Sequence, residues 1–148
     1  MSQDNAFTPA STVDVADDLF SCAGDSVTLH AARCADCGAV VFPVQTSCPR
    51  CTGAQMEPQP LPDRGTLWSY TIQRFCPKSP YDGPGAADFV PYGVGYVLFD
   101  DLVIVEGRLT ENEPDRLEIG QLVKVVTEHY TVNSDGVPVV TFAFQPLV

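Results

Sequence analysis

Residues 34–51 read CADCGAVVFPVQTSCPRC. Two C-x-x-C pairs, Cys34/Cys37 and Cys48/Cys51, stand ten residues apart. A tight turn at each pair aims both sulfurs at one point and lets backbone N–H groups stabilise the thiolates. Four thiolates at about 2.3 Å close a tetrahedral shell around a metal with no open position, which makes such a site structural and not catalytic. The spacer is shorter than the common ribbon spacing of about 15–20 residues. It still suffices for a short hairpin capped by Phe42-Pro43. The alternative, four buried thiols with no metal, needs four cysteines to fall into this pattern by chance. One Zn²⁺ per chain is the expected occupant. Four thiolates also suit iron in an electron carrier, and the pattern alone leaves that choice open.

The rest of the composition favours metal over disulfides. Six cysteines would suit a secreted disulfide framework, but the first ten residues are polar and lack a basic n-region. Paired cysteines in a reducing compartment read as metal ligands. The chain has 148 residues, of which 45 % are apolar, enough for one real core. Its longest apolar runs have strand length, so a soluble cytoplasmic protein without membrane spans is expected. Net charge is −11 and uneven. Residues 1–32 carry five acids and no Lys or Arg, residues 33–78 are mildly basic, and residues 79–148 carry eleven acids against three bases. Such a balance repels a phosphate backbone, so no nucleic-acid partner is expected. A nucleic-acid reading would rest on Trp68, Tyr70 and Phe75 as stacking aromatics.

Around the cysteines the chain divides into three parts. Residues 1–26 read as a tail and a short amphipathic helix. Val13, Ala16, Leu19 and Phe20 recur at helical spacing over residues 11–22, with Asp14, Asp17 and Asp18 among them. Leu19 and Phe20 on that helix are candidates for docking a partner. Residues 27–60 read as the metal ribbon, entered by a strand over 27–33. Pro58, Pro60 and Pro62 recur at every second position and predict an extended connector in place of a helix or paired strand. Residues 61–148 carry five strand signals: 65–75, Tyr92–Phe99, 102–110, Leu122–Val132 and 138–144. Turns fall at Asp100-Asp101 and residues 133–136, and residues 112–120 have room for one helical turn. Five short strands interrupted after the third match a five-stranded Greek-key barrel, the OB-fold.

Residues 76–91 (CPKSPYDGPGAADFVP) form a long, proline-stiffened loop. A structureless loop of that length in a compact domain is usually functional or disordered. Tyr81 and Phe89 make it a candidate contact surface for a partner or substrate. His30 and His129 are the two histidines. Neither lies beside a Ser or Cys motif that would supply an activated nucleophile. Cys22 and Cys76 belong to no motif and read as inert thiols, and no phosphate loop appears. A self-sufficient active site is not visible.

The ordered set C-x-x-C-G, Phe42-Pro43, C-P-x-C, GTLWSYT at residues 65–71, Pro91-Tyr92, Ile119-Gly120 and Phe144-Gln145-Pro146 resembles one family. It is that of the rubredoxin-like zinc-ribbon plus OB-fold proteins that accompany thiolases and related acyl-CoA enzymes. The resemblance spans about residues 15–148 and implies a mainly β fold with an N-terminal helix, a zinc ribbon and a C-terminal OB barrel. It also implies a non-catalytic subunit of a thiolase (acyltransferase) complex in aromatic-compound, toluene-type, or steroid degradation. A thiolase-fold partner would then carry the catalytic residues. This chain would hold zinc and help to bind CoA or acyl-CoA, with Arg50, Arg74 and Lys78 as candidate contacts for the anionic nucleotide. Two departures stand out: Cys51 is followed by Thr52-Gly53, not directly by Gly, and the Asp100-Asp101 turn lacks glycine. The competing readings are a stand-alone acyl-CoA or protein-binding module and a rubredoxin-like iron carrier.

Overall fold

The computed structural model describes residues 13–14, 18–78, 85 and 87–147. The elements are β1 (Val13–Asp14), β2 (Phe20–Ala23), β3 (Ser26–Cys34), β4 (Val40–Val41), β5 (Met56–Pro60), β6 (Arg64–Gln73), β7 (Tyr92–Phe99), β8 (Val103–Leu109), β9 (Leu122–Val132) and β10 (Pro138–Pro146). One 3₁₀ turn, Pro114–Arg116, stands between β8 and β9.

The expected N-terminal helix is corrected by the described part of residues 11–22. Val13–Asp14 lies extended, parallel to Val139 and Val140 of β10. Phe20–Ala23 pairs antiparallel with β3, Phe20 opposite Leu29 and Ala23 opposite Ser26. The reason is the turn between them. Gly24 takes a φ of +61°, and Gly24-Asp25 closes a two-residue hairpin that turns this stretch back on itself. Phe20 is therefore no docking residue but part of this chain's own core, 1 % exposed, while Leu19 packs half-buried against that core.

The connector reading of the proline stretch is corrected too, because β5 pairs with β3. Leu61 N–H donates to Leu29 O at 3.0 Å and Ala35 N–H to Gln55 O at 2.8 Å. The two-residue period of the ladder then puts bonded positions at the odd residues. Pro58, Pro60 and Pro62 fall between them, where a missing N–H costs the ladder nothing. The alternation that disfavoured a strand is the one that permits an edge strand.

The five expected barrel strands are all present. They run β10-β8-β7-β6-β9, and β9 pairs β10 to close the cylinder. Inward residues of the alternating rows, among them Leu67, Val97, Phe99, Val105, Leu109, Val123, Val125 and Phe144, fill it. On the inner wall Gly107 lies where an added Cβ would meet the rings of Phe144 at 2.7 Å and Phe142 at 2.8 Å. The same core continues into the ribbon through Phe20, Val27, Leu29 and Ala31. Phe142 joins the two parts. Its ring stands edge-on to Phe20 at 6.3 Å, Phe42 at 5.7 Å and Phe144 at 5.7 Å. Aromatic pairs of this kind add about 0.5–1.5 kcal/mol each beyond their buried area.

Candidate metal centre

The two cysteine pairs fold as near copies of each other. In the first, Cys34 N–H donates to Ala39 O and Gly38 N–H to Cys34 O, both at 2.8 Å. In the second, Cys48 N–H donates to Gly53 O and Thr52 N–H to Cys48 O, again at 2.8 Å. Gly38 has a φ of +81° and Thr52, at the equivalent place, +64°. The departure seen after Cys51 is thus absorbed by a threonine in the left-handed region, which is uncommon for a β-branched residue. Gly53 is favoured for a different reason. A Cβ there would lie 2.4 Å from Asp36 Oδ2 and 3.3 Å from Cys51 Sγ.

These turns bring the four sulfurs within 4.8 Å of one another. Cys34 Sγ lies 3.5 Å from Cys51 Sγ and Cys37 Sγ 3.6 Å from Cys48 Sγ. A tetrahedral ion with bonds of about 2.3 Å sets its sulfurs about 3.8 Å apart, so the cage fits zinc. Outer donors are also in place: Arg50 N–H reaches Cys48 Sγ at 3.3 Å and Gly53 N–H reaches Cys51 Sγ at 3.4 Å. Cys34 and Cys48 are buried, Cys37 is half-buried and Cys51 reaches the surface.

The thiols respond to this crowding in opposite directions. The backbone N–H of Cys51 pulls the Cys48 thiol from 9.0 down to about 7, against desolvation and with help from Arg50 N–H. Gly53 N–H lowers Cys51, but the sulfurs of Cys34, Cys37 and Cys48 outweigh it and push that thiol up to about 12. Four thiolates this close coexist only around a cation, whose charge deprotonates them outright. The shell is complete with cysteine and leaves no position for substrate.

The other candidates lie on separate elements. Arg50 is exposed on the second knuckle, and Arg74 and Lys78 are exposed past the end of β6. None of the three forms an ion pair among the described residues. Tyr81 lies outside the described residues. Phe89 does not stand free on its loop: it is half-buried and packs edge-on against Tyr92 at 5.9 Å. Trp68 and Phe75 face solvent while Tyr70 packs on the core, so the three make no single stacking platform.

A groove of about 340 Å³ on the outside of the barrel was not anticipated. Tyr92, Val94, Glu106, Arg108 and Tyr130 line it. The Arg108 guanidinium sits 4.1 Å over the Tyr92 ring, and its Nε is 4.0 Å from Glu128 Oε2. The outward row of β7, Tyr92, Val94, Tyr96 and Leu98, was the available signal: it is apolar where a solvated face would be polar.

Among known families, residues 28–57 match the ChsH2 rubredoxin-like zinc ribbon domain, and residues 58–128 match the ChsH2 C-terminal OB-fold domain. The chain belongs to the ChsH2 ribbon-and-barrel family. Within reach of that family, it is 28 % identical over 124 residues to the benzoylsuccinyl-CoA thiolase subunit BbsA of Thauera aromatica, covering 84 % of this chain and 80 % of that one. It is 26 % identical over 120 residues to a DUF35 domain-containing scaffold protein of Methanocaldococcus jannaschii, covering 78 % and 79 %. A similar scaffold protein of Methanothermobacter thermautotrophicus is 29 % identical over 120 residues, covering 80 % and 86 %. Among solved structures, the Ltp2-ChsH2(DUF35) aldolase superposes with a TM-score of 0.59 at 23 % identity, over 81 % of this chain and 85 % of that chain, a likeness of fold. Among the described residues no helix is long and apolar enough to cross a membrane.

Proposed function

We propose that this chain is a non-catalytic, zinc-holding accessory subunit of an acyl-CoA enzyme complex, with a thiolase-fold partner that carries the chemistry. The observation that carries the reading is the similarity to a benzoylsuccinyl-CoA thiolase subunit over four fifths of both chains. The site's chemistry supports it. The sulfur cage is closed to substrate, and among the described residues neither the groove nor the loop after β6 assembles a nucleophile with its base.

In this reading zinc keeps the ribbon folded, and the ribbon and barrel together present a surface that completes the partner's acyl-CoA site. Arg50, Arg74 and Lys78 face the anionic nucleotide of CoA, and the loop with Tyr81 and Phe89 borders the acyl pocket. Aromatic-compound or steroid degradation is the setting, in a reducing cytoplasm where the four thiols stay available to metal. The similarity to scaffold proteins favours a second emphasis, in which the subunit mainly organises its partner.

Two measurements test the reading. Tagged chain recovered from its native cytosol should bring a stoichiometric thiolase-like protein and about one zinc per chain. A monomer eluting alone would leave a free-standing binding module, and iron in place of zinc would leave an electron carrier. Arg74→Ala with Lys78→Ala should raise the complex's KM for acyl-CoA roughly tenfold, consistent with two lost charge-assisted contacts, while kcat changes little. Unchanged kinetics would remove these residues from the CoA contact.

A further inference from the structure

The inner row of β7 is Gly93, Gly95, Val97 and Phe99, all buried. Alternation in a barrel strand then predicts a polar outer row. The outer row is instead Tyr92, Val94, Tyr96 and Leu98. Cross-strand register widens it. Tyr96 lies opposite Ser69 of β6 and Glu106 of β8, and Leu98 lies opposite Thr66 and Ile104. The register shift between Leu67 and Ser69 marks a bulge that leaves Trp68 beside this row. Trp68 is 56 % exposed, Ile104 40 % and Tyr96 38 %. The patch runs on into the groove between Tyr92 and Tyr130. Contiguous exposed apolar surface of this kind marks an interaction site, and Trp and Tyr are the residues that dominate binding energy at protein interfaces.

Charge decides what covers it. Arg108 on this face is engaged by the Tyr92 ring and by Glu128. Around the Trp68–Ile104 end of the face Asp100, Asp101 and Glu106 outnumber Arg64, while the exposed Arg74 and Lys78 stand past the opposite end of β6. A second copy of the chain would bring −11 against −11. The fitting occupant is apolar at its centre and cationic at its edge.

We propose that the outer face of β6, β7 and β8, centred on Trp68, Tyr96, Leu98 and Ile104, is where the partner enzyme subunit docks, presenting an apolar patch edged by Lys and Arg. The inference rests on the accessory-subunit reading. Because these side chains stand outside the core, replacing them leaves the barrel's packing intact.

The test uses the full chain and the protein that co-purifies with it from native cytosol, both then made recombinantly. Trp68→Ser with Tyr96→Ser should weaken the complex about 100-fold with zinc content and circular dichroism unchanged. Val44→Ser, on the exposed ribbon, should leave affinity alone, and added salt should slow association of the wild type. In the unmutated complex, Trp68 should be protected from oxidative footprinting. Wild-type affinity in the Trp68/Tyr96 variant, or an unprotected Trp68 in the complex, overturns the docking face and leaves the accessory reading standing. A wild-type chain that elutes with no partner, as monomer or as self-dimer, overturns both.

Discussion

Thr52 is the residue at which this ribbon departs from its own internal symmetry. Its φ of +64° matches the +81° of Gly38 in the other knuckle, yet only glycine takes that conformation without steric cost. The left-handed region costs an L-residue about 1–2 kcal/mol, part of which glycine returns through its freer unfolded chain. Thr52→Gly should therefore raise stability at saturating zinc by about 0.5–1 kcal/mol, read from denaturant unfolding with an unchanged slope. A loss of stability would mean that the Thr52 hydroxyl, which donates to Cys51 O at 2.5 Å, outweighs the backbone strain. Asp100 and Asp101 raise the same question, with φ of +53° and +57° in a turn closed by Leu102 N–H to Phe99 O at 2.8 Å. Cysteine spacing announced the ligands because the chemistry of a four-thiolate shell is local. Which non-glycine residue would accept a left-handed backbone was not legible, since neighbouring contacts decide it.

At the scale of elements, β7 and β9 keep the bounds read from the sequence, Tyr92–Phe99 and Leu122–Val132; β7 buries one full face, whereas β9 buries only Val123 and Val125 near its start. The ribbon strands were harder. Val13, Ala16, Leu19 and Phe20 fit a helical period, but Phe20 is fixed by pairing opposite Leu29, and the Gly24-Asp25 turn was the overlooked signal. In β5 the prolines pointed away from pairing only so long as the ladder's phase was unknown. That phase is testable. Gln59→Pro removes a donor at a bonded position and should destabilise the ribbon by about 1–3 kcal/mol, whereas Pro58→Ala should change stability by less than about 0.5 kcal/mol. Thermal unfolding of both variants with zinc present checks it, and equal effects would mean the bonded and unbonded positions are exchanged.

Across the whole molecule, the ribbon and barrel share one core through Phe142, which touches Phe20 and Phe42 on one side and Phe144 on the other. Phe142→Ala should cost about 3–5 kcal/mol and split unfolding into two steps, a metal-dependent ribbon and a metal-independent barrel. A single transition, coincident by far-UV and near-UV signals, would show that the coupling lies elsewhere. Charge distribution and the missing nucleophile–base pair were readable as arguments against a stand-alone enzyme. The apolar outer face shows in the sequence only as a β7 that is apolar on both rows, and which of those rows faces outward is fixed once the sheet closes. In the proposed role this chain contributes a surface, and no chemistry, to an acyl-CoA enzyme. The most direct test of that role is turnover of acyl-CoA by the purified partner with and without the zinc-loaded chain. The account predicts low activity for the partner alone, none for this chain alone, and full activity restored at equimolar mixing. Full activity of the partner alone, or turnover by this chain alone, would contradict it.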